Sequence, residues 1–171
     1  MRFLTVVRHA KASPAPAGGS DFERPLNARG RDQAGQLREW ASDERELGRY
    51  GPTTALVSSA ARTRETFIRA FDDTSFVRQH HFSELIYNGR RDVSPEDLLI
   101  DLAAIDPVHT SLLVVAHSPT VLELVLALAT KAPTVLREGH YPLGGAVVLA
   151  LPEDQQIGLR SYDVVASYFP D

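Results

Sequence analysis

Short runs of aliphatic and β-branched residues alternate along this chain with stretches of helical periodicity, and that alternation points to a layered α/β domain. Residues 4–7 (LTVV) are apolar on both faces and read as a buried strand, as do residues 112–116 (LLVVA). Residues 55–57 form a shorter strand and 76–77 a weak one, while 146–151 and 159–165 close the chain as antiparallel strands. A helix begins at Asn27, a good N-cap, with Ala34, Leu37 and Ala41 on one face, and ends over residues 48–52. Three more are expected: one over 60–71, one opened by Ser94-Pro95-Glu96-Asp97 and stopped at Asp106-Pro107, and one from Ser118-Pro119 to about Ala129. Residues 13–20 (SPAPAGGS) hold two prolines and two glycines and read as a mobile loop inside the domain. The expected fold is a three-layer α/β/α sandwich with a mostly parallel central sheet, a single domain over residues 1–171.

That size suits one domain by the rule of roughly 100–200 residues each, large enough to bury a core unaided. A net charge of −4 argues against nucleic acid as an obligate partner, yet permits a local basic pocket. The absence of cysteine excludes disulfides, thiol catalysis and thiolate metal sites. The first apolar run stops at Arg8 and the longest other, 121–129, contains Glu123, so neither a signal segment nor a membrane span is expected. The expected setting is the cytoplasm, and the sequence carries no signal for an oligomeric state.

Two of the six histidines occupy equivalent places: His9 follows the strand 4–7 and His117 follows the strand 112–116. Ligands of open parallel sheets gather beyond the carboxyl ends of strands, so both rings can face one pocket. Arg8 adjoins His9, and Arg62 lies near the N-terminus of the helix after the second strand. A lone histidine at a strand end is ordinarily a hydrogen-bonded structural residue, and a lone arginine in SAARTRET a solvated one. All four together describe a site for a tetrahedral dianion, which is to say phosphate.

These residues stand in four ordered motifs: Val7-Arg8-His9-Ala10-Lys11-Ala12, Arg24-Pro25-Leu26-Asn27-Ala28-Arg29-Gly30, residues 57–66 (VSSAARTRET), and Val115-Ala116-His117-Ser118-Pro119. The set resembles the histidine phosphatase superfamily, especially its small phosphohistidine phosphatase (SixA-like) branch, over residues 4 to about 129. Ala10 and Ala116 stand where the wider family has glycine, and Ser59 where it has proline; none of these changes removes a functional group. The resemblance implies that His9 is the nucleophile, accepting a phosphoryl group that water then removes. It implies that Arg8, Arg62 and His117 bind the phosphoryl oxygens, with Ser118 a further substrate ligand and no metal or other cofactor. His9 must be neutral at its attacking nitrogen, a tautomer that a backbone carbonyl on its other N–H would fix, and His117 is expected to be the charged, donating ring.

Arg62 is preferred to Arg64, because residues two apart on a helix point in different directions. Glu84 is the one candidate for a general acid; otherwise it is a surface residue before a turn. The expected substrate is phosphohistidine on a protein. The alternatives are a small-molecule phosphomonoesterase using Glu84, and a catalytically idle module that reads phosphorylated ligands. His80 and His81, being sequential, point to opposite sides of an extended chain and do not suit a shared metal. His109 reads as an exposed turn residue and Trp40 as packing, while a place at a pocket rim is the lesser reading of His140.

Overall fold

In the computed structural model, residues 1–75, 77–89, 91–105, 111–159 and 161–171 are described. Six strands form one sheet in the order β3-β2-β4-β1-β5-β6: β1 (Arg2–Arg8), β2 (Thr54–Ser58), β3 (Gln79–Ser83), β4 (Leu112–Ala116), β5 (Ala146–Leu151) and β6 (Val164–Tyr168). The first four in that order are mutually parallel, and β5 runs antiparallel to both β1 and β6. Every residue of β2 and β4 is buried, which explains their unbroken small and apolar sequences.

Side chains alternate across the sheet. Leu4, Val6, Leu112 and Val114 face one layer, made of α3 (Pro95–Ile105), α4 (Thr120–Leu128) and the single turn α5 (Thr134–Arg137). Val7, Leu113 and Val115 face the other, where α1 (Ala28–Ser42) contributes Leu37 and Ala41, and α2 (Ala61–Ala70) contributes Phe67. The three-layer α/β/α sandwich is therefore present.

Local sequence sets the helix starts. The Asn27 side chain accepts from the Gly30 N–H at 2.8 Å, and Ser94 and Asp97 exchange hydrogen bonds at the head of α3. Gly30 is also required by packing, because a Cβ there would lie 2.0 Å from the Lys11 carbonyl oxygen. That contact presses α1 against the segment that follows His9.

Two strands differ from expectation. Val77 precedes β3 rather than forming it, and Phe76 lies outside the described residues. β3 is instead the exposed edge segment QHHFS, whose outward faces leave no apolar run to read. β6 begins at Val164, later than the expected 159, with a register irregularity opposite Val148 and Leu149. The expected stop at Asp106-Pro107 lies outside the described residues. Among those described, no helix is long and apolar enough to cross a membrane.

Candidate active site

β1 and β4 are neighbours running the same way, so both deliver their next residue to the same edge of the sheet. Their register ends at Arg8 opposite Ala116, and the His9 N–H still donates to the Ala116 carbonyl at 3.1 Å. His9 and His117 therefore leave the sheet together, with ring centroids 5.2 Å apart. Arg8, at the end of β1, and Arg62, in the first turn of α2, join them around a cavity of about 350 Å³.

His9 is 9% exposed. Its Nδ1 lies 2.7 Å from the Ala10 carbonyl oxygen, which only accepts, so Nδ1 carries the proton and Nε2 keeps its lone pair. Burial, helped by the charges of Arg62, Arg8 and Arg24 and only partly opposed by that hydrogen bond, drives the ring's pKa down to about 3. At neutral pH the ring is an uncharged base with one free nitrogen.

His117 does not match the expectation of a charged ring. Burial first, then the charges of His9 and Arg62, push its pKa down to about 2, so the protein's own groups hold it neutral. Its Nε2 sits 2.7 Å from the Ser58 hydroxyl, and its Nδ1 is buried without a partner. If the hydroxyl donates to Nε2, the proton resides on Nδ1 and can be offered to an oxyanion.

The guanidiniums are anchored from outside. Arg62, 7% exposed, donates to the Asp21 carbonyl at 2.9 Å and to its carboxylate at 3.2 Å. Arg8 donates to the Tyr141 carbonyl at 2.5 Å, while its Nε is buried with no partner. Asp21 also accepts from Arg24 at 3.0 Å and from the Tyr87 hydroxyl at 2.6 Å. Tyr87 does most to hold this carboxyl down, to about 2, against a smaller effect of burial and with further help from Arg24 and Arg62. Two uncharged imidazoles and several fixed cations around one cavity suit a tetrahedral oxyanion.

No family model matches the sequence. The uncharacterized protein Rv1276c of Mycobacterium tuberculosis is 30% identical over 128 residues, which is 75% of this chain and 73% of that protein. SixA of Agrobacterium tumefaciens has the same fold, with a TM-score of 0.74 and 27% identity over 99% of each chain. The chain has the fold of the histidine phosphatase superfamily and is similar to its SixA branch. The protein histidine phosphatase SixA complexed with tungstate is similar in fold too, with a TM-score of 0.74 at 19% identity over 96% of this chain and 95% of that one.

Arg8, His9, Arg62, His117 and Ser118 all line the cavity. Glu84 does not; it lies exposed in the turn after β3. Arg64 is exposed, its guanidinium 4.5 Å from the Phe82 ring centroid, as its helical offset from Arg62 requires. His80 packs 5.2 Å from the Phe67 ring, and His140 lines a neighbouring groove that shares Lys11 and Leu143 with the site. His109 lies outside the described residues. Among those described, no three His, Cys, Asp or Glu side chains are grouped to hold a metal. Trp40 stacks on Tyr168 at 5.3 Å.

Several supporting residues escaped the sequence reading. Thr66 accepts from the Ala10 N–H at 3.0 Å and donates to the Arg62 carbonyl at 2.7 Å, tying α2 to the segment after β1. Thr66 and Ser58 lie inside the motif VSSAARTRET and Arg24 heads another, so motif membership could have flagged them. Asp21 carries no comparable local signal. Gly89 makes room for Tyr87, since a Cβ there would lie 2.2 Å from its ring.

Proposed function

We propose that this phosphatase hydrolyses phosphohistidine carried on another protein, with His9 as nucleophile and with Arg8, Arg62, His117 and Ser118 holding the transferring oxygens. The observation that supports this best is the state of His9: Nδ1 tied to the Ala10 carbonyl, Nε2 bare, and the ring on one cavity with two guanidiniums and His117. The His9 Nε2 lone pair forms a bond to phosphorus as the substrate P–N bond breaks and returns its electron pair to the substrate ring. A substrate ring protonated on its far nitrogen departs as neutral imidazole, and His9 becomes a phosphorylated imidazolium. Water then displaces phosphorus from His9, releasing dihydrogen phosphate and the neutral ring. Such transfers depend on positioning and charge stabilisation, which the guanidiniums and His117 supply, so this reading calls for no metal.

The leaving group argues for phosphohistidine over esters. An alkoxide must be protonated as it departs, and among the described residues the one carboxyl lining the cavity is Asp21, kept ionised by its three donors. Lack of a general acid costs an ester on the order of 10²–10⁴-fold in rate and costs a departing imidazole little. Glu84, outside the cavity, is poorly placed to fill that role.

The test is turnover of a phosphohistidine peptide against alkyl phosphates, with acid quench of labelled substrate. Phosphohistidine is expected to turn over at least ~100-fold faster, with acid-labile phosphate on the wild type and none on His9→Ala. Glu84→Gln is expected to change neither rate. Alkyl phosphates cleaved as fast would overturn the substrate class. Absence of trapped phosphate together with absence of turnover would make the protein a binding module.

A further inference from the structure

A carboxylate is an unexpected lining for an oxyanion site, yet Asp21 lines this cavity beside His9, Arg62 and His117. Its place is set firmly. The backbone carbonyl and Oδ2 both receive Arg62, Oδ1 receives Arg24, and Oδ2 receives the Tyr87 hydroxyl. A carboxylate offers about four lone-pair positions, and these three donors leave one, on Oδ1. The Asp21 side chain is 50% exposed whereas His9 is 9% exposed, so the carboxylate stands at the cavity's solvent end and the nucleophile at its floor.

In-line displacement puts the leaving atom on the opposite side of phosphorus from the attacking nitrogen. With His9 at the floor, the leaving group occupies the solvent end, where Asp21 stands. We infer that Asp21 selects the leaving group: its carboxylate accepts from the far N–H of the departing substrate ring and disfavours groups that leave with negative charge. This rests on the phosphohistidine reading and adds to it the residue that enforces the preference. As the P–N bond breaks, its electrons return to a ring still protonated on its far nitrogen, and a carboxylate holds that N–H throughout. A departing alkoxide or phenoxide instead gathers negative charge toward the same carboxylate. Around Asp21 stand the cations Arg24 and Arg62, the Tyr87 hydroxyl, and His117 across the cavity.

The experiment compares kcat/KM for a phosphohistidine peptide and for p-nitrophenyl phosphate in the wild type, Asp21→Asn and Tyr87→Phe. Asp21→Asn keeps the side-chain shape and is expected to lower the peptide value about tenfold, the scale of one charge-assisted hydrogen bond, while the aryl phosphate value holds or rises. Tyr87→Phe retains the carboxylate but removes the donor that most lowers its pKa. Its peptide preference is expected to survive at neutral pH, because Arg24 and Arg62 still hold the carboxylate. Equal loss on both substrates in Asp21→Asn would overturn the inference and leave Asp21 a structural brace. So would a Tyr87→Phe that loses the preference at neutral pH although it keeps the carboxylate, a measurement that decides the matter even if Asp21→Asn does not fold. A wild type that prefers the peptide beside an Asp21→Asn that prefers it equally would sink the role of Asp21 alone. A wild type with no such preference would sink the phosphohistidine reading and this inference with it.

Discussion

Lowering the pH from 8 to 5 should destabilise this protein through two particular side chains. His9 and His117 have folded-state pKa values pushed down to about 3 and about 2, from an ordinary value of 6.5. Both rings stay neutral in the folded protein across this range, while in the unfolded chain they take up protons below 6.5. A depressed folded value means stability that is fully present above 6.5 and falls as the pH drops toward the folded value. Each pH unit below 6.5 costs about 1.4 kcal/mol per ring, so reaching pH 5 costs about 2 kcal/mol for each and about 4 kcal/mol for the pair. The result is insensitive to the folded values themselves, provided both lie well under 5. Urea unfolding at the two pH values, in a buffer without phosphate, measures it for the wild type and for His9→Gln/His117→Gln. Every other group is common to the two proteins and cancels in the difference. The wild type should lose about 4 kcal/mol more than the double variant, a shift of about 2 M in urea midpoint for a slope near 2 kcal/mol/M. Equal losses in the two proteins would refute the claim that burial holds these rings uncharged.

Two further outcomes follow from contacts at the sheet edge. Ser58→Ala removes the hydroxyl that meets the His117 Nε2; kcat should fall about tenfold with little change in KM, and the same substitution should cost little once His117→Ala is already in place. Losses that multiply would show that the two act separately. Gly30→Ala drives a methyl into the Lys11 carbonyl and should cost about 1–3 kcal/mol in thermal or urea unfolding, with a fall in activity because that carbonyl follows His9 closely. A variant as stable as the wild type would refute the contact.

What the sequence made legible was whatever is buried on both faces or tied to the backbone locally. β4 and residues 4–7 of β1 announce themselves as short, largely apolar runs because neither face there meets water. β3 is an edge strand whose residues are mostly exposed, so QHHFS has no pattern to betray it. The four residues Arg8, His9, Arg62 and His117, which line one cavity, were readable because each follows a strand or opens a helix. Asp21 was not, since it meets Arg62 and Tyr87 across 41 and 66 residues of chain. The charge on His117 was misjudged for a related reason: desolvation and neighbouring cations are properties of the packed site, invisible in a string of residues.

The parallel ladder between β1 and β4 carries a consequence for engineering. Because the two imidazoles branch off one step past a matched rung, their spacing is inherited from interstrand hydrogen bonds rather than from the surface segments around them. Residues 14–19, which spare Asp21 and its hold on Arg62, can then be exchanged for other sequences while the two imidazoles stay put. Retargeting this scaffold becomes a question of rewriting its border, with the chassis untouched.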